Sequence, residues 1–114
     1  MTDTFSALAD PTRRGIIQLL ANSGQLSATD ISEKFPVTPP AISQHLKVLR
    51  EAELVVAQRR GQQRLYQINP KAMSELEEWA KQTRQLWAQR FDALDELLKA
   101  EHKKVMKKKH GKSK

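Results

Sequence analysis

The chain has 114 residues, 20 basic and 13 acidic side chains, a net charge of +7 and no cysteine. That length predicts one domain with a modest core, near the size at which dimerisation adds useful burial. The composition excludes disulfides, thiolate metal sites and thiol redox sensing. No stretch suits a membrane span and the N-terminus lacks a signal-peptide pattern, so a cytoplasmic location is expected.

Asp3 caps a short first helix whose apolar residues are Phe5, Ala7, Leu8 and Ala9. Asp10-Pro11 restarts the chain as N-cap and first helical residue, opening a helix to about Asn22 that turns Ile16, Ile17, Leu19 and Leu20 inward. Ser23-Gly24 stops it. Ser27-Ala-Thr-Asp30 has the capping-box pattern and predicts a third helix with Ala28, Ile31 and Phe35 on one side, ended by Pro36. Only Pro36-Val37 then separates it from Thr38-Pro39, a second cap-then-proline signal. So tight a corner predicts a helix-turn-helix.

In the helix after Thr38, Ile42, Leu46 and Leu49 recur at i, i+4 and i+7 and share an inner face. Pro40, Ser43, Gln44 and Lys47 fall opposite, on a face that is polar and uncharged until Lys47. Such a surface suits base edges in a major groove, so this stretch reads as a recognition helix. Residues 55–68 then place β-branched and aromatic residues around Gly61-Gln62, predicting a hairpin with Gly61 at the positive φ of a type II′ turn. Arg59, Arg60 and Arg64 sit near its tip with no acid among them. Asn69-Pro70 opens a long helix to about Ala100. Its apolar face, which includes Leu76, Trp79, Leu86, Trp87, Phe91 and Leu94, is wider than one small domain needs. Seven acids (Glu75, Glu77, Glu78, Asp92, Asp95, Glu96, Glu101) against four bases make residues 72–101 acidic, so only one side of the molecule is expected to face nucleic acid. Residues 102–114 carry seven lysines and no acid, which equals the whole net charge. They predict a disordered basic tail on a folded body of residues 1–101, acting as a solubilising segment or as an arm on flanking phosphates.

The order helix, helix, helix-turn-helix, hairpin, long helix resembles the winged helix-turn-helix regulators of the ArsR/SmtB family. The resemblance is carried by Phe5-Ser-Ala-Leu-Ala-Asp-Pro-Thr-Arg13, Ile42-Ser-Gln-His-Leu-Lys-Val-Leu-Arg50 and Arg60-Gly-Gln-Gln-Arg-Leu-Tyr66. It implies a mainly α fold with a small β-hairpin, and a homodimer built from the N-terminal and final helices through Phe5, Leu8, Leu76, Trp79, Leu86, Trp87, Phe91 and Leu94. It also implies a transcription factor, usually a repressor, on an inverted-repeat operator in double-stranded DNA. By position, Thr38, Pro39, Pro40, Ser43 and Gln44 stand at the groove, Lys47 on a phosphate, and Arg59, Arg60, Gln62 and Arg64 on the wing. The chain departs from the family where two prolines replace the Gln and Ser often found, and where Glu53 replaces a glycine. The family's thiolate site has no counterpart in residues 27–35, and residues 70–101 hold no histidine for its other metal site. No metal or cofactor is therefore expected. The Trp-rich final helix resembles the metal-independent, autorepressor-type branch, and no residue pattern identifies a small-molecule effector.

Other readings of single residues weigh less. His45 has no second ligand nearby and reads as a helix-flank histidine at the margin of the core, donating one hydrogen bond, rather than a metal ligand or pH switch. Trp79 and Trp87 at helical spacing point to interface or core before a ligand pocket. His102 and His110 offer at most opportunistic metal binding. No phosphate-binding glycine loop or nucleophile–base pair supports an enzyme, and the adjacent pairs Glu77-Glu78 and Asp95-Glu96 point apart on a helix. The alternative to a DNA-binding regulator is a winged-helix protein-interaction module that meets DNA only incidentally.

Overall fold

A computed structural model describes the backbone of residues 3–112 and the side chains of residues 3–105. The elements are α1 (Thr4–Leu8), α2 (Pro11–Ser23), β1 (Leu26–Ser27), α3 (Ala28–Ser32), α4 (Pro39–Glu51), β2 (Val55–Arg60), β3 (Gln63–Ile68) and α5 (Pro70–Lys112). The chain divides into two units, Met1–Glu75 and Leu76–Lys114.

Local signals set most element starts in the first unit. Asp3 accepts from the Phe5 N–H at 2.7 Å and Asp10 from the Arg13 N–H at 3.0 Å. Ser27 and Asp30 close a capping box, with bonds of 3.1 and 3.4 Å. Thr38 Oγ1 accepts from the Ala41 N–H at 3.3 Å, with Pro39 at the first helical position. These contacts satisfy amide donors that the helix itself leaves unpaired. Gly24, at φ 87°, ends α2.

The core gathers the inner faces of these elements: Ala7 from α1, Ile16 and Leu20 from α2, Ile31 from α3, Ile42, Leu46 and Leu49 from α4, then Leu54, Val55 and Tyr66. The sheet order is β1-β3-β2, all antiparallel. The hairpin has the expected bounds and register, Val55 opposite Ile68 and Arg60 opposite Gln63. Gly61 has φ 65° while Gln62 is not at positive φ, as a type II′ turn requires. The third strand, β1, pairs Leu26 with Tyr66 and Ser27 with Leu65, and was not expected.

Two expectations are corrected here. The third helix stops at Ser32 instead of running to Pro36, so residues 33–38 lie between α3 and the start of α4. A proline disfavours helical backbone at the residue before it. The segment tightens through i→i+3 bonds from Lys34 to Ile31 and Phe35 to Ser32. Phe35 thereby leaves the α3 face and packs on Gly15 of α2, where an added Cβ would lie 2.8 Å from its ring. At the other end, α5 does not stop near Ala100 but continues to Lys112 through the segment expected to be disordered. Lysine and methionine are good helix formers, and cations suit a helix C-terminus. Ser113 and Lys114 lie outside the described residues.

α4 ends in a Schellman motif: the Leu54 N–H donates to the Leu49 carbonyl and the Glu53 N–H to the Arg50 carbonyl, each at 3.0 Å. Glu53 occupies the left-handed position at φ 61°, the one described non-glycine residue with positive φ. Leu49 and Leu54, both fully buried, supply the accompanying apolar contact. Asn69 fixes the strained turn, donating from Nδ2 to the Glu53 carbonyl at 2.8 Å and from its backbone N–H to the Leu54 carbonyl at 2.9 Å. A side chain in left-handed backbone costs about 1 kcal/mol. Glu53→Gly should therefore raise unfolding stability by about that amount, read as a later midpoint in urea at unchanged slope.

Candidate nucleic-acid interface

α4 carries the first half of the site. Burying Ile42, Leu46 and Leu49 forces Pro40, Ser43, Gln44 and Lys47 outward, and all four are exposed, as are Thr38 and Pro39 at the helix start. Among the described residues, Ser43, Gln44 and Lys47 make no side-chain hydrogen bond or ion pair, so their polar atoms remain available. Arg50 was missed by the sequence reading. It is exposed and continues the Ser43–Lys47 row at i+7, adding a second cation toward the helix C-terminus. Beside this face, a groove of about 500 Å³ is lined by Ala28, Thr29, Ser32, Glu33, Val37, Pro39 and Ser43.

The hairpin carries the second half. Arg59, Arg60, Gln62 and Arg64 are all exposed at or beside its tip. Arg59 stands directly opposite Arg64 in the ladder. Like charges at opposed positions repel, and no acid pairs with them among the described residues. The tip is thus a concentrated positive charge without an internal counter-ion, suited to an anion such as a DNA phosphate. Below the tip, Gln25 Nε2 donates to Gln67 Oε1 at 3.0 Å and to Gln58 Oε1 at 3.4 Å, joining both arms to the segment before β1.

Arg13 holds the scaffold under α4, another role without a local sequence signal. Its Nε donates to the Ala7 carbonyl at 2.6 Å and one terminal nitrogen to the Ser6 carbonyl at 3.2 Å, capping α1. Its other terminal nitrogen meets His45 Nδ1 at 3.3 Å. A guanidinium only donates, so Nδ1 is the acceptor in this contact, which leaves Nε2 as the ring's N–H donor. Asp10 Oδ2 lies 3.9 Å from the same nitrogen, beyond hydrogen-bond range. The Asp10 carboxyl is held below its ordinary pKa mainly by the Arg13 backbone N–H, with smaller help from the Arg13 guanidinium charge. No group of three metal-ligating side chains occurs among the described residues, and the side chain of His110 lies outside them.

The residues proposed for a dimer contact divide between the two units. In the first, Phe5 is about half exposed and Leu8 half-buried. In the second, Leu86, Trp87, Phe91 and Leu94 are exposed along α5 with Trp79, while Leu76 is half-buried. The Trp87 and Phe91 ring centroids are 5.7 Å apart, and Arg90 lies over the Trp87 ring at 5.6 Å.

The family profile described as bacterial regulatory protein, arsR family, matches residues 10–56, from the Asp10 cap into β2. The chain is 39% identical over 79 residues to the transcriptional repressor SdpR of Bacillus subtilis, covering 69% of this chain and 87% of that one. It is similar to the crystal structure of a possible transcriptional regulator for arsenical resistance, at 36% identity and TM-score 0.66, covering 73% and 85% of the two chains. It is also similar to the homodimeric winged helix-turn-helix DNA-binding domain of a possible ArsR-family regulator from Mycobacterium bovis, at 27% identity and TM-score 0.57, covering 68% and 70%. With this winged helix-turn-helix architecture and this relationship, the chain belongs to the ArsR family of bacterial regulatory proteins.

Proposed function

We propose that the protein is a homodimeric transcriptional repressor that binds an inverted repeat in double-stranded DNA, in the cytoplasm. α4 enters the major groove, where Ser43 and Gln44 read base edges; Lys47 and Arg50 meet phosphates. The wing arginines Arg59, Arg60 and Arg64 hold the adjacent backbone. The observation that carries this reading is the outward face of α4, polar, exposed and free of internal partners between a capped start and two cations. The repressor relative and the homodimeric neighbour support it. No helix among the described residues is long and apolar enough to cross a membrane.

A gel-shift titration on duplexes selected from a random pool, against unselected competitor DNA, tests the assignment. Ser43→Ala and Gln44→Ala should each erode discrimination by about 1–3 kcal/mol. Arg60→Ala and Arg64→Ala should weaken selected and unselected DNA alike. If neither α4 change alters the preference, α4 does not read the sequence. Equal affinity of the unaltered protein for selected and unselected duplexes would favour the protein-interaction module.

The lysines of residues 102–114 are assigned a supporting phosphate role. Truncation after Glu101 should weaken both classes of DNA by similar factors, leaving their ratio and the dimer intact. The slope of log K against log salt should flatten by about 0.9 for each phosphate that these lysines neutralise. Identical slopes for the full and truncated chains would leave the lysines a solubilising role only.

A further inference from the structure

The outward face of α4 opens on two pyrrolidine rings instead of hydrogen-bond donors. Pro39 and Pro40 have no N–H. The next amide, of Ala41, is taken by Thr38 Oγ1 at 3.3 Å, and that of Ile42 by the Thr38 carbonyl at 3.1 Å. The first turn therefore offers no free backbone donor. It carries no charged side chain either, and the groove that Pro39 and Ser43 line is also lined by Glu33. A phosphate would find no free backbone donor on this turn, and an acidic residue in the adjoining groove. Both proline rings are nevertheless exposed, one turn before Ser43 and Gln44 on a continuous face.

In a major groove, the apolar group that base pairs present is the C5 methyl of thymine. We propose that Pro39 and Pro40 are specificity-determining residues that pack against thymine methyls, so that each half-site combines apolar reading at the start of α4 with polar reading by Ser43 and Gln44. The inference rests on α4 being the DNA-reading helix. It assigns the two prolines a positive role in place of the missing amide and side-chain donors: selection for thymine at the base pairs they cover.

Removing the methyl alone provides the test. Duplexes selected from a random pool on the unaltered protein are resynthesised with deoxyuridine for thymidine, which keeps the pairing and deletes only the methyl. Deleting one methyl that packs on a proline should weaken binding about fourfold, and one per half-site roughly fifteenfold. The double variant Pro39→Ser/Pro40→Ser, checked for an unchanged circular dichroism spectrum, should bind thymine and uracil duplexes alike. Equal affinity of the unaltered protein for both duplexes overturns the proposal. So does a thymine preference that survives in the serine variant, since the methyl would then be sensed elsewhere or through DNA shape. A pool that enriches no sequence overturns the base-reading role of α4 itself, and this proposal with it.

Discussion

Replacing Phe91 by glutamate is expected to convert the protein to monomers and to lower affinity for its selected duplex by about 10²–10⁴. Along α5, Leu86 is 67% exposed, Phe91 59%, Trp87 50% and Leu94 49%. They recur at helical spacing, so they form one stripe. A continuous exposed apolar stripe of this kind marks an interaction surface. Covered by a second copy, each side chain, already partly buried, contributes about 1–2 kcal/mol. A glutamate at the centre of that stripe would be buried without a partner. The dimer would then forgo the apolar contribution and carry the cost of desolvating the charge. The fall in DNA affinity follows because two half-sites held by one dimer bind with an effective concentration that separate monomers lack. Phe91 is not among the buried core residues, so folding of the 1–75 unit should persist. Sedimentation velocity at micromolar concentration checks the first part; an unchanged dimer in the variant would contradict the interface.

Leu46→Ala should be severely damaging to the DNA-binding unit, lowering stability by about 2–5 kcal/mol. Leu46 is 1% exposed, between Ile42 and Leu49 on the inner face of α4. Deleting its side chain removes buried surface and leaves a cavity beneath the residues proposed to read DNA. A urea titration of this variant beside Gln44→Ala separates folding from recognition. The exposed Gln44 should change stability by less than about 0.5 kcal/mol while losing discrimination. A Leu46→Ala midpoint equal to that of the unaltered protein would mean that α4 is not seated by this face.

Most of the elements could be read in the sequence because their ends are announced within a few residues. Asp10-Pro11, Thr38-Pro39 and Asn69-Pro70 each pair a capping side chain with a residue suited to a helix start, and Gly61 marks the one turn where the hairpin needs positive φ. The period of Ile42, Leu46 and Leu49 defined the inner face of α4 and hence its outer one. What escaped had no local signature. β1 is two residues long, too short for alternation to show, and is defined by pairing with Leu65 and Tyr66 far along the chain. The early end of α3 brings Phe35, between the helices, against Gly15 of α2, a partner that no local pattern announces. The Arg13–His45 contact spans 32 residues. Arg50 lay in view, one row beyond Lys47, and following the i+7 step would have found it. The Glu53 strain was legible as a non-glycine residue at a glycine position, but its anchoring by Asn69 was not.

Guanine-methylation and phosphate-ethylation interference on a selected duplex tests the central claim, that two copies of α4 lie in the major groove with the wings on the backbone. The expected result is two clusters of major-groove interference, related by a dyad and centred about one helical turn or a multiple apart. Phosphate interference should flank each cluster and fade in Arg60→Ala and Arg64→Ala. A single cluster, or interference spread evenly along the duplex, would contradict a dimer reading two half-sites through α4.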